Sequence, residues 1–301
     1  MALHVEGLVK RYGDFTAVKD LSFSVPKPGV FALLGSNGAG KTTSIRAILG
    51  MLSKEGGSVT WKGRNLCVTE ERVGYLAEER GLYAKFTVYE QMMYFAELKG
   101  MKKARATDAI HFWLERLGAA EYLKKRAEQL SKGNQQKIQL AAALISDPEL
   151  LILDEPLSGL DPVNTDLFKS VIRDEINKGK YIIMSSHQMP TVEEFCTDIV
   201  ILHRSDTVLQ GNLNAIKKGY GRIKLSVKAD QNILPLALEC GLVVERQTPN
   251  QTDFRVCDAG QPEKFLKKAV ESGITLVKYE LREPSLHEIF VEKVGGEVNE
   301  G

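Results

Sequence analysis

The stretch "VFALLGSNGAGKTT", Val30 to Thr43, decides the fold. "VFALLG" is a continuous apolar run of the kind found in a strand buried on both faces, and it ends in glycine. "GSNGAGKTT" then fits G-x-x-x-x-G-K-[ST], and "SIRAILGML" continues as a helix. In such a strand, loop and helix the glycines let backbone N–H groups turn inward around phosphate oxygens. The helix N-terminus adds favourable potential there. The candidate phosphate cradle is therefore Gly35, Ser36, Asn37, Gly38, Ala39, Gly40, Lys41, Thr42 and Thr43. Lys41 can reach β- and γ-phosphates, and Thr42 offers its hydroxyl to Mg²⁺.

Outward from this loop the same apolar pattern returns twice, at "LLILDEP" (150–156) and "YIIMSSH" (181–187). Apolar strands separated by helical stretches imply an α/β fold with a parallel sheet covered on both faces. "LLILDEP" ends in Asp154, a candidate Mg²⁺ ligand, and Glu155, placed to polarise a water. An Asp-Glu pair alone reads as a loop start. Beside a phosphate loop it reads as a nucleotide-hydrolysis signature.

The N-terminal "LHVEGLVKRYGDFTAVKDLSFSV" alternates apolar and polar residues and predicts antiparallel strands. Residues 87–145 read as mostly helical, opening with Thr87 and Glu90 at capping-box spacing. The Lys/Glu-rich stretch 122–128 reads as a solvated helix face. Glycines 219 and 221 mark a change of character. Beyond them the pattern predicts strand 222–228, helix 231–240, strands 242–247 and 252–257, helix 261–271 and strand 274–280, a small βαββαβ unit. A last helix follows "EPSLHE", where Ser285 and Glu288 form another capping box after Pro284. Its Leu286, Ile289, Phe290 and Val294 make an apolar stripe.

A chain of 301 residues favours two domains. Its 40 basic and 39 acidic residues give no support to nucleic-acid binding by bulk charge, and no nucleic-acid partner is expected. The four cysteines are scattered and form no CxxC pair, so reduced thiols are expected rather than a cluster or disulfide framework. The opening "MALHVEGLVKRYGD" lacks a signal-peptide profile. No apolar run approaches about 18 residues, so any action on a membrane must go through a partner.

Taken in order, these motifs resemble the ATP-binding subunits of ABC transporters over roughly residues 1–220. "GSNGAGKTT" and "LLILDEP" match the Walker A and Walker B segments, and "LSKGNQQ" (130–136) stands at the signature motif. "SGLD", Ser158 to Asp161, matches the D-loop, and His187 matches the H-loop. Tyr12 sits where the family stacks an aromatic on adenine; a surface aromatic beside a turn is the other reading. The resemblance implies a P-loop ABC ATPase with an antiparallel β subdomain and a helical subdomain at about 83–145. It implies Mg²⁺-dependent ATP hydrolysis with Glu155, His187 and Lys41 as catalytic residues, and Thr42, Asp154 and Glu78 at the metal.

Two positions depart from the pattern. Glu78 stands where glutamine is common; a carboxylate can still ligate Mg²⁺, although an exposed charge run is the alternative. In the signature turn Lys132 replaces a glycine and Asn134 a glutamine, while Ser131 and Gly133 remain. In this family Ser131, Lys132, Gly133 and Asn134 would contact the ATP of a second, head-to-tail subunit, with a homodimer expected, and Asp161 would join the two sites.

The resemblance also implies a separate integral-membrane permease and a peripheral place on the cytoplasmic face of the membrane. Tyr83 and Phe86, around Lys85, are either part of the docking surface or packing within the helical subdomain. Residues 221–301 resemble the small accessory domain of certain ABC-2-type exporters, including sodium-extruding and drug- or peptide-efflux systems, here expected to be α+β and ferredoxin-like. The rival is a soluble ABC ATPase acting on ribosomes or DNA; those usually carry two ATPase units or a long coiled-coil insertion, absent here. A nucleotide-binding regulator without turnover is disfavoured by Glu155 and His187.

Overall fold

The computed structural model describes residues 2–69, 72–79 and 81–294. Its chain divides into two compact units, one ending at Gly211 and the next beginning at Asn212. The first contains β1 (Leu3–Tyr12), β2 (Phe15–Val25), β3 (Gly29–Gly35), α1 (Lys41–Ile48), β4 (Gly56–Trp61), β5 (Arg64–Asn65) and β6 (Val73–Leu76). It continues with α2 (Val88–Leu98), α3 (Lys103–Arg116), α4 (Lys132–Leu144), β7 (Leu150–Asp154), α5 (Pro162–Asn177), β8 (Tyr181–Ser186), α6 (Met189–Glu193), β9 (Cys196–His203) and β10 (Asp206–Asn212), whose last residue opens the second unit.

The three apolar runs lie side by side. The larger sheet has the order β10-β9-β3-β8-β7-β6, so β8 separates the phosphate-loop strand β3 from β7. The β9-β3-β8-β7-β6 pairings are all parallel. Every residue of β7 is buried, as a strand covered on both faces requires. Strands β2-β1-β4-β5 make a second, antiparallel sheet. One core unites the two: Leu3, Leu8 and Leu21 join Leu33, Ile45 and Ile152. Phe23 stacks on Phe31 at 4.4 Å between ring centroids. Each such fully buried large side chain contributes about 2 kcal/mol.

The helical stretch differs from expectation at one place. Residues 122–128 are not an α-helix; short 3₁₀ turns at Ala120–Tyr122 and Ala127–Gln129 flank a bend. The bend serves the start of α2, whose first N–H groups lack intrahelical acceptors. Val88 N donates to Lys125 O at 2.9 Å and Tyr89 N to Leu123 O at 3.0 Å. The expected capping box is reciprocal: Thr87 N donates to Glu90 Oε2 at 2.8 Å and Glu90 N to Thr87 Oγ1 at 3.2 Å.

The second unit holds α7 (Leu213–Tyr220), β11 (Lys224–Ala229), α8 (Leu234–Glu239), β12 (Val243–Thr248), β13 (Gln251–Arg255), α9 (Gln261–Glu271), β14 (Leu276–Arg282) and α10 (Leu286–Val294). Its antiparallel sheet runs β12-β13-β11-β14, the ferredoxin-like order for βαββαβ. Leu225, Val227, Phe254 and Phe265 form its core. The units part at 211/212, ahead of the expected 220/221. Gly221, one of the two glycines where the sequence changes character, ends α7 with φ 73°, and Asn212 caps the start of that helix. Ser285 and Glu288 form the expected box, with Ser285 N donating to Glu288 Oε2 at 2.6 Å. In α10, Leu286, Ile289 and Val294 are buried and Phe290 is half-buried. Residues 295–301 of the expected C-terminal domain lie outside the described residues.

Candidate functional site

The phosphate loop joins β3 to α1, and two of its glycines are sterically required. A Cβ on Gly40 (φ 103°) would meet Ala17 O at 2.3 Å, and one on Gly35 (φ 152°) would meet Leu202 O at 2.4 Å. No L side chain fits either position. Lys41, almost fully buried, folds back over the loop and donates to Gly35 O at 2.9 Å and Ser36 O at 3.1 Å. Ala39 is buried, and its N–H donates to Ser36 O at 3.2 Å.

Lys41 Nζ also stands 3.3 Å from Glu155 Oε1, and His187 Nδ1 donates to Glu155 Oε2 at 2.9 Å. Strands β3, β7 and β8 thus deliver a lysine, a glutamate and a histidine to one point. Glu155 is buried and adopts φ 49°, left-handed backbone that a non-glycine residue rarely takes. Beside it Asp154 is fully buried. Its Oδ1 accepts from Ser185 Oγ at 2.5 Å, and its Oδ2 has no hydrogen-bond partner. Burial pushes the Asp154 carboxyl above its ordinary range, against the pull of the Ser185 and nearby Thr42 hydroxyls and with the neighbouring Glu78 and Glu155 carboxylates adding to the rise.

Thr42 Oγ1 donates to Glu78 Oε2 at 3.2 Å, which brings the loop after β6 to the start of α1. A cavity of about 350 Å³ opens over these groups, lined by Asn37, Gly38, Lys41, Thr43, Glu78 and Glu155 on one side and by Tyr12 and Phe15 on another. Tyr12 is 49% exposed, with Lys10 Nζ 5.2 Å from its ring centroid. Phe15, its register partner across the β1–β2 hairpin, is 60% exposed. Sequence reasoning missed Phe15, whose signal was its place in the same turn, three residues after Tyr12.

Ser131, Lys132, Gly133, Asn134 and Asp161 are not among the residues lining that cavity. Ser131 caps α4, accepting from Asn134 N at 3.4 Å, and both Ser131 and Lys132 are exposed. Asp161 caps α5, accepting from Asn164 N at 2.9 Å, and that N–H holds its carboxyl below the ordinary range. The two turns are neighbours: a Cβ on Gly133 would lie 3.4 Å from Asn164 Nδ2. Gln136 Nε2 donates to Pro156 O at 2.8 Å, linking α4 to the turn after Glu155. The sequence motif contains Gln136 but does not reveal this bond.

Elsewhere on the first unit, Tyr83, Phe86 and Tyr94 are 50%, 53% and 46% exposed and, with Glu90 and Gln91, line a cavity of about 290 Å³. The rings meet edge to face, Tyr83 to Phe86 at 5.8 Å. Burial within the helical subdomain is therefore not their arrangement. Among the described residues no helix is long and apolar enough to cross a membrane.

Known proteins share this architecture. Residues 18–158 match the family model described as ABC transporter, and residues 211–294 match one described as the C-terminal domain of DrrA1-3-like ATP-binding proteins. An uncharacterised ABC transporter ATP-binding protein of Bacillus subtilis, YhaQ, is 43% identical over 97% of this chain and 98% of its own length. The bacitracin transport ATP-binding protein BcrA of Bacillus licheniformis is 31% identical over 96% of each chain. A solved ATP binding subunit of an ABC transporter superposes with a TM-score of 0.68 at 29% identity, covering 73% of this chain and 94% of that one.

Proposed function

This chain belongs to the ABC transporter ATP-binding proteins and is an ATPase, and from that premise we propose that it powers export through a separate ABC-2-type membrane subunit. The hydrolytic reading rests on one juxtaposition: Lys41, Glu155 and His187 meet beside the phosphate loop. In this reading Glu155 orients the attacking water and accepts its proton as the water oxygen bonds to the γ-phosphorus. The bond to the β–γ bridging oxygen breaks, giving ADP and phosphate. Lys41 and His187 donate to the transferring phosphoryl group, where negative charge gathers. Tyr12 and Phe15 give a flat base two exposed rings to stack on.

The residues present fit Mg²⁺. Asp154 Oδ2 is a buried oxygen without a partner, and the Thr42 hydroxyl and Glu78 carboxylate stand at the same end of α1. Such an all-oxygen set suits a hard divalent cation. When bound, Mg²⁺ would neutralise charge on the phosphate oxygens.

Two copies head to tail would complete each site. Support comes from the signature turn: Ser131 and Lys132 are exposed at the N-terminus of α4, away from their own chain's cavity. A helix N-terminus so placed suits the phosphates of another copy, and Asp161 beside it would tie the two sites. For the membrane subunit, the exposed Tyr83, Phe86 and Tyr94 offer an aromatic docking pocket, which would place the chain peripherally on the cytoplasmic face. Export as the direction follows from likeness to a bacitracin transport protein and from the DrrA-like C-terminal match.

Affinity purification from detergent-solubilised membranes tests the reading. The tagged chain should recover a membrane protein of several helices whose presence raises ATP hydrolysis. Recovery of ribosomes or DNA instead, with no membrane protein, would overturn it.

A further inference from the structure

We infer that Ser185 is a positioning residue for ATP hydrolysis: its one buried hydroxyl sets both the Asp154 carboxylate and the backbone that aims Glu155. The inference rests on the roles proposed above for those two acids. Ser185 is fully buried on β8, in register with Asp154 of β7 on one side and Leu33 of β3 on the other. It therefore stands between the strand that delivers the phosphate loop and the strand that delivers the acids.

The hydrogen-bond polarity is determined. A serine hydroxyl has one proton and two lone pairs. Its proton goes to Asp154 Oδ1 at 2.5 Å, and its oxygen accepts from Glu155 N at 2.9 Å. The first bond occupies Oδ1 and leaves Oδ2 as the unpartnered oxygen. The second satisfies the N–H of a buried residue at φ 49°, just where β7 ends. Without it that N–H would be orphaned in the interior, and the turn would relax toward a conformation that pairs it. Relaxation would move the Glu155 carboxylate away from Lys41 and His187, which hold it at 3.3 and 2.9 Å. Near-attack geometry tolerates little such displacement.

The test compares Ser185→Ala, Ser185→Thr and Ser185→Val in the full-length chain, with Glu155→Gln alongside. Threonine and valine share a shape and differ in the hydroxyl. The expectation is a loss of about tenfold or more in kcat for the alanine and valine variants. Binding of a fluorescent ATP analogue without Mg²⁺ should stay within about twofold of wild type, because the phosphate loop is untouched. The Mg²⁺ concentration that half-saturates analogue binding should rise, and threonine should restore both kcat and that midpoint. Wild-type turnover and Mg²⁺ midpoint in Ser185→Ala would overturn the inference. So would equal impairment of the threonine and valine variants. If Glu155→Gln hydrolyses ATP normally, the role of Glu155 falls; if it is inactive while Ser185→Ala is normal, only the positioning role falls.

Discussion

Lys41 Nζ and Glu155 Oε1 are 3.3 Å apart with both side chains almost fully buried, an ion pair between the phosphate loop and the acid that follows β7. In the proposed reaction nucleotide would draw Lys41 from Glu155, so the pair would oppose binding while it preserves alignment. Glu155→Gln removes the proton acceptor and the opposing charge together. ATP hydrolysis should fall about a hundredfold or more, while ATP affinity holds or rises and an ATP-dependent dimer accumulates. Single-turnover kinetics and size-exclusion chromatography check this; wild-type turnover would refute the role of Glu155.

Asp154 is a second conflict between stability and function. Its buried carboxyl, pushed upward by burial, has one oxygen with no partner. Asp154→Asn should stabilise the ligand-free protein by about 1 kcal/mol and abolish the Mg²⁺ dependence of nucleotide binding. Thermal melts with and without Mg²⁺-ATP read both effects, since bound ligand raises the melting temperature only where it binds.

The exposed rings of Tyr83 and Phe86 should matter to a partner and little to nucleotide. Replacing both with alanine should weaken membrane-subunit binding by about thirtyfold or more, as loss of an aromatic anchor does. ATP affinity should change less than about twofold. Equal loss of both activities would remove the docking assignment.

Lys132 is exposed at the first turn of α4, and in the proposed head-to-tail dimer it would add attraction to another copy's triphosphate. Lys132→Gly should weaken the ATP-dependent dimer several-fold at low salt, and the difference should shrink as ionic strength rises. A salt-independent difference would instead mark a backbone effect of the glycine.

In the second unit, burial raises the Glu288 carboxyl, but Arg282 and the Ser285 backbone and hydroxyl more than offset it and hold the group down at about 2 against an ordinary 4.5. A carboxylate depressed on folding stabilises fully above its unfolded value and loses that contribution as pH falls toward the folded one. Chemical-denaturation curves for wild type and Glu288→Gln should therefore converge between pH 4.5 and 2, with wild type the more stable above that window.

The sequence made the phosphate loop, its flanking strand and helix, and the order of motifs legible because each is local. Gly35, Lys41 and Thr42 lie within one turn and carry their own spacing. The βαββαβ pattern of the second unit was legible too, since alternation and capping residues announce each element. What stayed hidden depends on register. Ser185 in "YIIMSSH" reads as one more strand residue until β8 is set against β7, and Phe15 joins the cavity only through its hairpin pairing with Tyr12. Residues 122–128 carry the helix formers Lys124, Lys125, Arg126 and Glu128, yet tertiary demand at the start of α2 overrides their propensity.

The left-handed backbone of Glu155 has an energetic corollary. Glycine would occupy that φ with less strain, by about 1 kcal/mol, so the substitution most welcome to the turn is one that erases its carboxylate. That relief is outweighed elsewhere: without the carboxylate the buried Lys41 ammonium loses its counter-charge, at a cost of about 3 kcal/mol or more, so the ion pair holds a glutamate where the backbone alone would prefer glycine.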